Sequence, residues 1–205
     1  AFVIEVVADD GSERPLSSVE SVVSTMPVLP PDLFVLARKV ADRAAGSVSD
    51  VLRLAVPKRM VRAEKAWLAA DAPPVPQVAA EALTRADALL TPYVGLTDAL
   101  DGGERVALDA PPHPSGDLPR GAWADLLAAA AVRTLARGRS AVLVVPDYRD
   151  QAQLMAALAE LVPAEAIVRD DADQSGPVRY AQYLRTLAPV PVVVVGRRSA
   201  VYSPA

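Results

Sequence analysis

Three short runs in the last third of the chain, Ala141–Val145, Ala166–Val168 and Val190–Val195, are apolar throughout. A strand with one wet face alternates apolar and polar residues; a strand covered on both faces does not. Between these runs lie stretches with helical spacing, Asp150–Leu161 and Pro177–Leu187, and a long Ala-rich helix over Ala122–Arg137 precedes the first. A further strand is expected at Arg105–Leu108. Strand, helix, strand, helix, strand, helix, strand is the order of a parallel sheet with helices packed on it. This pattern places residues 93–205 in the α/β class.

The first part of the chain reads differently. Phe2–Val7 is apolar on both faces except for Glu5, and Asp9-Asp10-Gly11-Ser12 supplies a turn after it. Pro30-Pro31-Asp32 starts a helix, with Asp32 expected to cap its free N–H groups. Leu33, Leu36, Ala37, Val40 and Ala44 follow at helical spacing, and Gly46 is expected to end the helix in the left-handed conformation. A second helix is expected at Val48–Ala55, stopping before Pro57. Residues 1–65 thus read as a small α/β unit. Residues 66–92 read as a Pro/Ala-rich linker with one short helix at Glu81–Leu90, because Pro73, Pro74 and Pro76 cannot continue a helix.

Charge divides along the same lines. The whole chain carries a net −4, but residues 38–65 hold eight basic and three acidic side chains. Residues 66–136 reverse the balance, with four basic and nine acidic. A basic segment in an acidic chain suggests a local contact with a polyanion, the plain alternative being a solvated helix face. Composition excludes other classes. Without cysteine there is no disulfide framework, thiolate metal site or thiol nucleophile, and the single histidine, His113, cannot build a zinc site. The longest unbroken apolar run, Leu126–Val132, is far shorter than the roughly 20 residues of a membrane helix. No signal peptide is apparent, so the expectation is a cytoplasmic chain cut from a longer protein, with no membrane partner.

In an α/β lobe of this order, the turn leading into the first helix is the natural phosphate site, because helix N–H groups and dipole favour an anion there. Here that turn, residues 109–121, holds four prolines, two glycines and no lysine, and no Ser or Thr opens the helix. Arg120 and Gly121 remain as weak phosphate candidates, against the plain reading of a loop that binds nothing. Trp67 and Trp123 read as packing anchors rather than base-stacking platforms, and Tyr180 and Tyr183, three apart on one helix, as core.

Several words along the chain carry a resemblance. Gly138-Arg139-Ser140-Ala141-Val142-Leu143-Val144-Val145-Pro146-Asp147 and Val194-Val195-Gly196-Arg197-Arg198-Ser199-Ala200-Val201-Tyr202-Ser203-Pro204 resemble two stretches of the replication-restart helicases of the PriA (primosomal protein N′) family. Near the start, Met26-Pro27-Val28-Leu29, Leu36-Ala37-Arg38-Lys39-Val40-Ala41-Asp42 and Asp50-Val51-Leu52-Arg53-Leu54-Ala55-Val56-Pro57 resemble the family in the same order.

The resemblance implies a small 3′-end-binding-like N-terminal unit followed by an incomplete RecA-like first helicase lobe. It also implies a superfamily-2 enzyme that unwinds DNA in the 3′-to-5′ direction with ATP and magnesium, and a zinc site beyond this chain. The implied partners are forked or 3′-ended DNA, primosome proteins and single-strand-binding protein, in a nucleoid-associated setting. The departures are specific. The family's Gly-Ser-Gly-Lys-Thr falls on Arg120-Gly121-Ala122-Trp123-Ala124, so tryptophan replaces the phosphate lysine and alanine the metal-binding hydroxyl. A lysine near the family's 3′-end pocket is Ser17 here. The pattern resembles the degenerate branch found in high-GC bacteria. The expectation is therefore a DNA-binding restart factor without catalytic residues, bound cofactor or helicase activity. Arg38, Lys39, Arg43, Arg53, Lys58, Arg59 and Arg62 would contact phosphates, and Arg198 matches the family's motif arginine. The alternatives are an active helicase relying on Arg120 and His113, and a non-enzymatic interaction scaffold.

Overall fold

The computed structural model describes Ile4, residues 18–110 and residues 113–205. The strand read at Phe2–Val7 lies, apart from the exposed Ile4, outside these residues, as does Ser17. Among the described residues of the N-terminal part are three helices, α1 (Pro31–Arg43), α2 (Val48–Ala55) and α3 (Val61–Ala69). Next come α4 (Ala80–Leu90), α5 (Leu96–Gly102) and α6 (Ala122–Ala136). Then β1 (Ala141–Val144), α7 (Tyr148–Ala159), β2 (Ile167–Asp170), α8 (Gly176–Thr186) and β3 (Val193–Gly196) alternate. A 3-10 turn over Arg198–Tyr202 closes the described chain.

Among the described residues the sheet has three strands in the order β1-β3-β2, and both pairings are parallel. β3 is central and buried at every position, as its unbroken apolar run requires. Its ladder begins at Val193 rather than Val190, and Pro191, with no N–H, sits just before it. Gly196 ends the strand where any Cβ would come within 2.7 Å of the Asp170 carbonyl oxygen and of Ala200. Only glycine fits there. The strand expected at Arg105–Leu108 is absent: those residues are irregular, and Val106 and Leu108 are exposed. With no partner for its backbone groups among the described residues, a four-residue run does not hold a strand.

The main core is built around α6, whose Ala124, Ala128, Ala129 and Val132 are fully buried. Small side chains let α4 and α7 approach it closely, and Leu90, Leu154 and Leu158 fill the space between. The helix read as part of a linker is therefore a wall of the lobe: Ala86 and Leu90 of α4 have no exposed surface. Arg133 of α6 fastens the wall, donating to Asp87 of α4 at 2.8 Å and to Asp101 of α5 at 2.7 and 3.1 Å. Residues 71–79 form neither helix nor strand, and their prolines cannot continue a helix.

Helix ends differ from expectation in two places. Pro30 occupies the N-cap of α1 without a side-chain bond, and Asp32 lies in the first turn, where it favours the helix dipole. At the other end the left-handed residue is Ala45, at φ 48°, one position before Gly46. The Gly46 N–H reaches back to the Ala41 carbonyl, so the closing pattern forms with a Cβ in an unfavourable place. Helices α3 and α5 were not expected. Asp147, in the family-like Val-Pro-Asp word, caps α7 by accepting from the Arg149 and Asp150 N–H groups, which lowers its carboxyl pKa.

Candidate functional site

The loop before α6 turns back on itself. Pro114 and Gly121 form an antiparallel bridge, the Ser115 N–H donates to the Arg120 carbonyl, and the Ala122 N–H donates to the His113 carbonyl. A phosphate cradle needs these N–H groups free and convergent. Here the Gly121 N–H donates to the Gln153 side-chain oxygen of α7 at 2.8 Å, and the Ala124 N–H to the Gly121 carbonyl. The Trp123 indole folds back over Gly121 while packing against the lobe core. Ala124 is fully buried in that core. His113 pairs its Nδ1 with the Pro114 carbonyl and stays exposed.

Arg120 is the one loop cation, and its side chain is only 7% exposed. Its Nε donates to Asp125 at 2.8 Å and its Nη1 to Glu160 at 2.6 Å. Ser115 donates to the same Asp125 carboxylate, and Arg85 of α4 reaches Glu160 at 3.0 Å. The bonds from Arg120 and Arg85 hold the Glu160 carboxyl at a pKa of about 2. Two carboxylates therefore neutralise the guanidinium on the inside, and an incoming phosphate would have to displace them. Lacking a lysine and a hydroxyl, and with the Gly121, Ala122 and Ala124 amides already bonded, residues 120–124 do not fit ATP with magnesium in the family's manner. Among the described residues no group of His, Asp and Glu is arranged to hold a metal ion.

The basic candidates fall into three groups. Arg38, Lys39 and Arg43 on α1, Lys58 in the turn after α2, and Arg62 on α3 are exposed, and none is in an ion pair with a described residue. Arg53 on α2 pairs with Asp50 at 3.1 Å, with both side chains mostly in water. Such a pair is worth little and yields readily to a phosphate. Arg59 is different: its Nε and Nη2 both engage Glu64, which has a 4% exposed side chain. Arg59 is thus committed to the fold.

Arg198 lies exposed in the turn after β3, while its neighbour Arg197 is drawn to Asp171 and Asp173. That turn packs against α2, and Tyr202 joins a small apolar cluster with Leu33, Ala55, Val56 and Tyr183. The fold thus brings the turn that bears Arg198 against α2, the helix that carries Arg53. Tyr180 and Tyr183 are buried as expected. Sequence reasoning did not single out Glu64, Asp125, Gln153 or Glu160. The available signal was faint: Glu64 is an acidic residue among Arg59, Arg62 and Lys65, and Asp125 follows Arg120 by five.

Comparison with known proteins bears out the resemblance read from the motifs. The chain is similar along 99% of its length to bacterial replication-restart proteins. It is 34% identical over 210 residues to the Probable replication restart protein PriA of Mycobacterium leprae (strain TN). The proteins of the same name from Mycobacterium tuberculosis (strain CDC 1551 / Oshkosh) and Mycobacterium bovis (strain ATCC BAA-935 / AF2122/97) are each 34% identical over 209 residues. The chain spans 30% of the length of these relatives. No family model and no solved structure matches it.

Proposed function

We propose that this chain is a DNA-binding part of a replication-restart protein, and that its α/β lobe keeps a RecA-like helicase form without using a nucleotide. The observation that carries the second half is the state of Arg120, neutralised by Asp125 and Glu160 beside a Gly121 amide already taken by Gln153. A productive site surrounds the β- and γ-oxygens with amides, a lysine and a metal held by a hydroxyl. Trp123 brings no charge and Ala124 no oxygen. The DNA reading is supported by the exposed cations of α1, α2 and α3 and by Arg198, adjacent to α2 in the fold. They would grip phosphates and position a forked or 3′-ended duplex rather than read bases. Residues 1–65 would play the part of the 3′-end-binding domain. By this reading the partners are DNA, primosome proteins and single-strand-binding protein, at the nucleoid.

Calorimetry of the intact protein with ATP and magnesium tests the nucleotide half, and no heat of binding is expected. A dissociation constant below about 100 micromolar, roughly −5.5 kcal/mol, would restore the enzyme.

A further inference from the structure

Glu64 sits where three separate parts of the chain meet. Its carboxylate accepts from Arg59 at 2.7 and 3.0 Å, from Ser24 at 2.9 Å and from Tyr180 at 2.7 Å. Ser24 precedes α1, Arg59 precedes α3, and Tyr180 is 116 positions away on α8. Tyr183, one helical turn further along α8, donates to the Val28 carbonyl at 2.6 Å. Met60 lies against Gly176 at the start of α8, where a Cβ would come within 2.5 Å of its terminal methyl. These contacts form a seam between the N-terminal helices and the lobe.

The apolar part of the seam is small, four buried residues with four partly buried ones beside them. Apolar contacts are non-directional, so a patch of this size leaves the helices free to dock in several orientations. A buried carboxylate is the opposite. Left unpaired it is costly, and only one docking satisfies all its acceptor positions. A buried ion pair is weak evidence for net stability, and in some systems such a group fixes which packing arrangement forms.

We propose that Glu64 is a positioning residue that clamps the N-terminal helices onto the lobe in one orientation, and thereby assembles one cationic surface from α2, α3 and the turn bearing Arg198. The second half rests on the DNA-binding reading; the clamp itself does not.

Hydrogen exchange and forked-DNA binding of the intact protein, in wild-type and E64Q forms, separate the two. In E64Q, exchange at the amides of α1–α3 should rise about 100-fold, the scale of a lost buried charge pair, while α6 and β3 stay protected. Affinity for a forked duplex should fall at the same time. Y180F removes a single donor and should give the same pattern at about tenfold, which keeps the test open if E64Q does not fold. Unchanged exchange, or a rise spread equally over α6 and β3, overturns the clamp. A seam that opens as expected in a protein that binds no fork in its wild-type form supports the clamp and sinks the DNA reading.

Discussion

The loop at 113–121 and the basic segment at 38–65 are both defined by arginine, yet they have opposite fates. In the loop, Arg120 is buried and held by two carboxylates from α6 and the end of α7. In the basic segment, Arg38, Lys39, Arg43 and Arg62 face water, with no ion-pair partner among the described residues. Arg59 belongs to the second stretch by sequence and to the first by behaviour, because Glu64 has captured it. The same side chain is a phosphate ligand or an internal fastener according to the carboxylates the fold places beside it. Cation counts along a sequence therefore overstate a binding surface.

The contrast breaks most sharply at Arg120. R120A leaves Asp125 and Glu160 without their shared partner and should destabilise by about 3–5 kcal/mol, the usual cost of halving a buried pair. Thermal unfolding would register this as a fall of roughly 6–20 °C for a chain of this size. R62A, on the exposed face of α3, should change stability by no more than about 0.5 kcal/mol. Equal losses from the two would erase the distinction.

Acid probes the captured arginine. The bonds from Arg59, Tyr180 and Ser24 hold the Glu64 carboxyl at about 2, below its ordinary 4.5. A depressed folded-state pKa stabilises the protein at pH values above 4.5, and that stabilisation is lost as pH falls from 4.5 towards 2. For this buried group it amounts to about 3 kcal/mol. Denaturant titrations at pH 6 and pH 3 should show E64Q with a flatter acid limb than wild type; parallel limbs would remove Glu64 from the acid response.

Salt sharpens the comparison from the solvent side. Replacing Arg53, Lys58, Arg62 and Arg198 with Ala should flatten the slope of log affinity against log salt by about 3–4 units if all four touch phosphate. An unchanged slope moves the DNA surface elsewhere. R59A, by contrast, should show its main effect in stability.

The smallest expected effect concerns Ala45. A45G relieves a left-handed alanine and should stabilise by a few tenths to about 1 kcal/mol, read from chemical denaturation. Destabilisation would mean that the alanine methyl has a packing role.

Much of the fold was legible because its signals are local. The apolar runs at 141–145 and 190–195 marked β1 and β3, and Pro177 and the 3.6-residue spacing marked α8; but β1 is not covered on both faces as its run suggested, since Val142 and Val144 on this edge strand are exposed. Where the reading failed, the deciding partner lay elsewhere. Arg105–Leu108 has strand-like residues but no strand to pair with among the described residues. Glu81–Leu90 has helical spacing, but nothing in its own sequence says that Ala86 and Leu90 pack on α6. Asp32 has the chemistry of a cap and sits two residues past the capping position.

The candidate site divides in the same way. The sequence by itself determined that the loop lacks a phosphate lysine and a metal-binding hydroxyl, since those are identities at positions. It also determined where the cations are dense. Only the tertiary structure decided which of them are free. Arg120 meets Glu160 across 40 positions, Tyr180 meets Glu64 across 116, and the Arg198 turn meets α2 from the far end of the chain. Ion pairs and hydrogen bonds act over a few ångströms, and the folded path of the backbone decides which charges come that close.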